Sequence, residues 1–131
     1  MKLSYAGNML PVQALLHLTN HPNSYLVDVR TELEWSTIGA PDLSLIDKET
    51  VLLSWRLLPS MVINNAFIEL LRLKIPDQNS RVFFICKSGG RSQEAAIEAT
   101  SQGYIHSYNV TDGFEGANSG WISSNLPKRF Y

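Results

Sequence analysis

The residues best suited to chemistry lie at the end of one apolar run, where the chain's single cysteine, Cys86, opens a short loop. Gly89 and Gly90 lie in this loop, and both can adopt positive φ, which lets backbone N–H groups converge on one point. Lys87 and Arg91 add positive charge on either side of the glycines. Because these features favour an anionic sulfur, we interpret Cys86 as a nucleophilic thiolate at neutral pH.

The elements around this loop would place a helix N-terminus against the sulfur. Residues 81–86 contain a β-branched and aromatic run that is too short for a helix, so the sequence predicts a buried strand ending at Cys86. Residues 92–102 have helix-forming composition and stop at Gly103, which suits the left-handed C′ position. The order strand, loop, helix directs the partial positive charge of a helix N-terminus at the thiol.

The rest of the chain alternates short helices and strands. The apolar spacing predicts helices over residues 11–20 and 61–74, and strands over residues 25–29, 51–54 and 107–110. This alternation is typical of an α/β fold with a mainly parallel central sheet and helices on both faces. In such sheets ligands bind beyond the carboxyl ends of the strands, which is where Cys86 would lie.

Length and charge limit the functions that fit this chain. Its 131 residues predict one domain over residues 1–131, and a formal net charge of −1 gives no signature of binding to nucleic acid or to an anionic membrane. The single cysteine excludes an internal disulfide and suits a reducing compartment, so we expect a cytoplasmic protein.

Polar residues near the N-terminus argue against a membrane segment, and the spacing of the histidines argues against a metal site. Pro11, Gln13 and His17 interrupt any apolar run, so we expect neither a signal peptide nor a membrane span. His17, His21 and His106 have no metal-ligand spacing with one another or with Cys86, so we expect no metal site.

The loop itself resembles the active-site loop of the rhodanese sulfurtransferases, commonly written C-R-x-G-x-R-[ST]. Here it stands as Cys86-Lys87-Ser88-Gly89-Gly90-Arg91-Ser92. Lys87 replaces the usual arginine, which keeps the charge but loses the bidentate fork. The loop of the cysteine-dependent phosphatases is one residue longer and makes a wider cradle for a tetrahedral phosphate. Loop size therefore favours sulfur chemistry over phosphorus chemistry.

Residues 25–35 are similar to the family's early strand and turn, with Asp28, Arg30, Glu34 and Trp35 at matching positions. From spacing alone, Arg30 and Glu34 could form an exposed helical ion pair of small worth. The resemblance instead implies that Arg30 begins a turn beside the cysteine strand. We therefore include Arg30 among the candidate substrate-binding residues.

Two further segments matter for the resemblance. Residues 109–121 are similar to the family's closing segment, which implies that they support the active loop. Residues 38–44 depart from the family's common G-H-I-P-G-A pattern, because they contain no histidine. This departure bears on local packing and substrate range.

The resemblance implies a rhodanese-like fold and a sulfurtransferase that works through a persulfide on Cys86. Its substrate would be held by the loop residues Lys87, Ser88, Gly89, Gly90, Arg91 and Ser92. The donor would be thiosulfate, another small sulfur-containing anion or a protein persulfide, and the acceptor a thiol. No metal or organic cofactor is required, and neither nucleic acid nor membrane is an expected partner.

Other functions remain open at the level of sequence. A rhodanese-fold interaction module would need no turnover, although such modules often lack the cysteine that is present here. A redox sensor would oxidise Cys86 to a sulfenic acid and would need an outside thiol to resolve it, since the chain has no second cysteine. A phosphatase is a third alternative, which the short loop disfavours.

Overall fold

The fold is described for residues 4–131 by a computed structural model. Its strands are β1 Gly7–Met9, β2 Ser24–Asp28, β3 Ala40–Pro41, β4 Val51–Leu52, β5 Arg56–Leu57, β6 Val62–Ile63, β7 Arg81–Ile85, β8 Ser107–Val110 and β9 Lys128–Arg129. A five-stranded parallel sheet has the order β1-β8-β7-β2-β4. The short strands pair separately, β3 with β9 and β5 with β6, both antiparallel.

Helices cover the sheet on both faces, as the alternation of elements predicts. They are α1 Pro11–Asn20, α2 Glu32–Thr37, α3 Phe67–Lys74 and α4 Gly90–Ser101, with a 3₁₀ turn at Ser44–Ile46. Alternate residues of β7 point to opposite sides: Val82 and Phe84 pack in a core with α3 and α4, whereas Phe83 and Ile85 pack in a core with α1. A strand buried on both faces explains the continuous apolar run in this part of the sequence.

The predicted helix over residues 61–74 is wrong in its first part, since α3 begins only at Phe67. The β-branched pair Val62 and Ile63 instead forms β6 of a hairpin. Asn64 then makes an Asx turn, in which its Oδ1 accepts the N–H of Ala66 at 3.1 Å. Hydrogen bonds from a side chain to the backbone compete with helical hydrogen bonds, so α3 begins only after this turn.

The strand predicted over residues 51–54 is shorter than expected, because β4 ends at Leu52. Beyond β4, the backbone of Leu53 and Trp55 follows β2, and their N–H groups donate to Asp28 and Val29. The strand over 107–110 is confirmed, and the helix predicted from residue 92 begins slightly earlier, at Gly90.

Strand register brings the site residues to one edge of the sheet. Asp28 of β2 pairs with Ile85 of β7, and Phe84 of β7 pairs with Asn109 of β8. The loops that leave the three central strands therefore meet beside Cys86. Among residues 4–131, no helix is both long enough and apolar enough to span a lipid bilayer.

Candidate active site

Cys86 is the first residue after β7, and the structure places it against the start of α4. Its Sγ accepts a hydrogen bond from the Gly89 N–H at 3.1 Å, and the Ser92 hydroxyl lies 3.2 Å from it. Gly89 caps the helix with φ +114°, a left-handed conformation that favours glycine. Gly90 does not adopt the positive φ that glycine allows, because it is already the first residue of α4.

The closing segment, residues 109–121, holds the backbone of this loop through backbone hydrogen bonds. Phe114 N–H donates to the Cys86 carbonyl at 2.8 Å, and Glu115 N–H donates to the Lys87 carbonyl at 2.9 Å. Gly113 makes the approach possible, since a Cβ at this position would lie 2.5 Å from the Cys86 carbonyl oxygen. The geometry agrees with the supporting role expected for residues 109–121.

Helix α2 is joined to the loop by a bidentate ion pair between Glu34 and Arg91. Arg91 Nη1 donates to Glu34 Oε1 at 2.7 Å, and its Nη2 donates to Oε2 at 3.0 Å. Glu34 is itself fixed by the helix cap, because its Oε1 accepts the Thr31 N–H at 3.2 Å. The exposed Arg30–Glu34 pair suggested by sequence spacing is therefore wrong: Glu34 binds a residue far away in sequence.

This pair stays charged across the neutral range. Partial burial raises the pKa of Glu34, but hydrogen bonds from Arg91 and Thr31 outweigh it and bring the pKa below its usual value of 4.5. The hydrogen bond with Glu34 raises the pKa of Arg91 above its usual value. Because both terminal nitrogens of Arg91 donate to one carboxylate, this side chain braces the loop rather than offering a free cation to an anionic substrate.

Arg30 lies inside the protein, with no exposed surface. Its Nη2 donates to Asp28 Oδ2 at 2.7 Å and to the Gly39 carbonyl at 2.6 Å, and its guanidinium carbon lies 4.2 Å from the centre of the Phe114 ring. The interpretation of Arg30 as a substrate-binding residue does not fit this burial. Instead, Arg30 connects the end of β2 to Gly39 and to Phe114 of the closing segment, residues 109–121.

The upper side of the loop is open to solvent. Lys87, Ser88 and Gly90 are exposed, whereas Cys86 is only 1% exposed. No carboxylate among residues 4–131 forms an ion pair with Lys87. The loop thus presents one available ammonium group above a buried sulfur.

Asn109 is a site residue that the sequence analysis did not single out. It is a buried residue of β8, and its Oδ1 lies 2.6 Å from Ser92 Oγ. The signal that could have found it is a polar amide within a predicted strand of a sheet that helices cover on both faces, because a buried amide requires a hydrogen-bond partner.

This geometry can stabilise negative charge on the sulfur, and the exposed Lys87 can attract a small anion toward it. The family described as STR4 middle domain matches residues 7–130. The chain belongs to this family. An uncharacterized protein of Rickettsia conorii is 40% identical over 125 residues, which are 94% of this chain and 97% of that protein.

Two plant proteins similar to this chain have rhodanese-like in their names. In Oryza sativa subsp. indica, Protein THYLAKOID RHODANESE-LIKE, chloroplastic is 32% identical over 111 residues, which are 84% of this chain but 22% of that protein. Rhodanese-like domain-containing protein 4, chloroplastic, of Arabidopsis thaliana is 29% identical over 119 residues, which are 87% of this chain and 24% of that protein.

Solved structures show the same fold. The crystal structure of Rv0390 from M. tuberculosis matches with a TM-score of 0.87 and 41% identity, over 95% of this chain and 98% of that one. The polysulfide-sulfur transferase homodimer from Wolinella succinogenes matches with a TM-score of 0.74 and 23% identity, over 98% of this chain and 80% of that one. The predicted rhodanese-like α/β fold is confirmed.

Proposed function

We propose that this family member is a sulfurtransferase that carries a sulfane sulfur as a persulfide on Cys86. The observation that carries the proposal is the position of Sγ at the N-terminus of α4, where it accepts a hydrogen bond from the Gly89 N–H. A helix N-terminus and a backbone N–H donor favour a thiolate, which is the reactive form of the nucleophile.

In the first step, the Cys86 thiolate attacks the outer sulfur of a donor such as thiosulfate. A new S–S bond forms at Cys86 while the donor's S–S bond breaks, and sulfite leaves with the electron pair of the broken bond. The negative charge of the resulting persulfide lies on its outer sulfur. Backbone N–H groups of residues 87–92 would stabilise that charge as an oxyanion hole stabilises oxygen.

In the second step, a thiophilic acceptor attacks the outer sulfur and the Cys86 thiolate leaves. A thiolate acceptor becomes a persulfide, and cyanide becomes thiocyanate. The donor in the cell would be a small sulfur-containing anion or a protein persulfide, and the acceptor a thiol. We place the reaction in the cytoplasm, where a reducing environment suits a free cysteine.

The two loop cations have different roles in this proposal. Arg91 holds the loop in shape through Glu34, whereas Lys87 is exposed and attracts the anionic donor. Ser88 and Gly90 form the rest of the exposed opening through which the donor sulfur reaches Cys86.

The direct test is steady-state kinetics with thiosulfate and cyanide, following thiocyanate, in parallel with p-nitrophenyl phosphate hydrolysis. We expect thiocyanate formation and no phosphatase activity, because the short loop leaves no room for N–H donors around three phosphate oxygens. Phosphate-ester hydrolysis that depends on Cys86, without sulfur transfer, would overturn the assignment.

A further inference from the structure

Ser92 lies between two groups that compete for its only proton. Its Oγ is 2.6 Å from Asn109 Oδ1 and 3.2 Å from Cys86 Sγ. A serine hydroxyl has one O–H to donate and two lone pairs to accept with, so it cannot donate to both neighbours at once. All three residues are buried, with exposed fractions of 1% for Cys86, 0% for Ser92 and 4% for Asn109.

The short oxygen–oxygen distance fixes the direction of the bond with Asn109. Two oxygens 2.6 Å apart need a proton between them, and Asn109 Oδ1 is only an acceptor, so Ser92 donates to it. In this arrangement Ser92 has only lone pairs left for Cys86. They suit a neutral thiol, whose S–H can donate to Ser92 Oγ, and they repel a thiolate.

We propose that Asn109 is a positioning residue whose side-chain amide turns over as Cys86 gains or loses negative charge. With a thiol, Asn109 Oδ1 accepts the Ser92 proton. With a thiolate, Asn109 Nδ2 donates to Ser92 Oγ, and the hydroxyl proton turns to Sγ. The proton lost from the thiol passes to water, and Ser92 keeps its own proton throughout.

An asparagine suits this task because one end of its amide donates and the other accepts at nearly the same shape. A buried hydroxyl without a matched partner on either side costs free energy, so a fixed acceptor would penalise the charged sulfur. The purpose of this device rests on the proposed function, since a sulfurtransferase returns to the thiolate in each cycle.

The test uses the alkylation rate of Cys86 by iodoacetamide, because Cys86 is the only cysteine and alkylation requires no sulfur transfer. The alkylation rate is followed from pH 4 to pH 10, and the pH of its half-maximal value gives the measured quantity, the ratio of thiolate to thiol at pH 6.5. Asn109→Asp keeps the acceptor but cannot donate to Ser92. We expect its ratio to fall by about fivefold, the equivalent of one hydrogen bond.

Asn109→Leu is the matched variant, with similar volume and no acceptor. It leaves the Ser92 proton free for the sulfur, so we expect its ratio to equal or exceed that of the wild type. A merely structural role of Asn109 would lower the ratio in both variants alike, and that result would overturn the proposal.

Ser92→Ala separates the bond from simple charge repulsion. If Asn109 acts through Ser92, the Asn109→Asp effect should shrink at least about twofold when Ser92 is also alanine. An unchanged effect in that background would show that the aspartate acts through its charge alone, and the proposal would be wrong. Absence of thiocyanate formation in the wild type would contradict the proposed function, but it would leave these alkylation ratios interpretable.

Discussion

The lower and upper halves of the active loop differ in almost every physical respect. The lower half, Cys86 with Ser92, is buried and is held by residues from β8 and the closing segment. The upper half, Lys87, Ser88 and Gly90, is exposed. The difference indicates that the reacting sulfur is fixed by packing and backbone bonds, while recognition of the donor is left to an adaptable surface.

This division separates two kinds of mutational effect. Changes in the lower half should remove chemistry or stability, because buried groups have no alternative partners. Changes in the upper half should act on substrate attraction and leave the fold intact, because solvent can replace the lost contacts.

The largest effect is expected for Cys86→Ser. Thiocyanate formation should fall to background, since the chain has no other thiol to carry the sulfur, and circular dichroism should show an unchanged fold. Thiocyanate production near the wild-type rate would contradict the assignment of the nucleophile.

Gly113→Ala should be the next most damaging change. The new Cβ would lie 2.5 Å from the Cys86 carbonyl oxygen, and φ at this position is +53°. We expect a loss of about 2 kcal/mol in the free energy of unfolding, together with most of the sulfur transfer, measured by urea denaturation and thiocyanate assay.

Gly90→Ala is the control for the Gly113→Ala substitution. It lies in the upper half, and a Cβ there meets nothing within 4 Å. Its free energy of unfolding should equal the wild-type value or exceed it by up to about 1 kcal/mol, because alanine favours a helix. Equal destabilisation by both substitutions would show that the close approach of Gly113 to the Cys86 carbonyl is not the cause of the loss.

Glu34→Gln should have an intermediate effect, because it weakens the ion pair that braces Arg91. We expect a loss of about 1 kcal/mol at pH 7 for this partly buried, bidentate pair, measured by urea denaturation. The pKa of Glu34 is lower in the folded protein than its usual 4.5, so its charge adds stability above that pH.

The pH dependence gives this prediction its control. The stability difference between wild type and Glu34→Gln should be full above pH 4.5 and should shrink as the pH falls through the lowered pKa of Glu34. A difference that stays constant down to pH 2 would show that the ion pair is not its source.

The smallest effect is expected for Lys87→Ala. KM for thiosulfate should rise by about threefold at low salt with little change in kcat, because an exposed ammonium attracts the anion without shaping the transition state. The rise should diminish at high salt. Lys128→Ala, an exposed lysine on β9, is the control and should leave KM unchanged. An unchanged KM in Lys87→Ala at low salt would remove the steering role.

Local patterns predicted the centre of the fold well. The apolar run of β7, the glycines and the helix-forming residues of α4 are consecutive in sequence, so their order alone predicts a strand, a loop and a helix that meet at Cys86. Tertiary contacts are different: Glu34 binds Arg91, and Arg30 binds Asp28 and Gly39. Helical spacing favoured an Arg30–Glu34 pair because it reports only neighbours within one helix.

Asn109 shows the same limit. Its amide reaches Ser92 through the pairing of β7 with β8, which a single sequence does not specify. A buried polar residue in a strand indicates that a partner exists, but it does not identify that partner.

Intact mass spectrometry after thiosulfate treatment tests the central claim most directly. The wild type should gain the mass of one sulfur atom, located at Cys86 by peptide mapping, and cyanide should remove it. Cys86→Ser should gain nothing. A wild-type protein that gains only oxygen, or gains no mass while remaining folded, would contradict persulfide chemistry at this site.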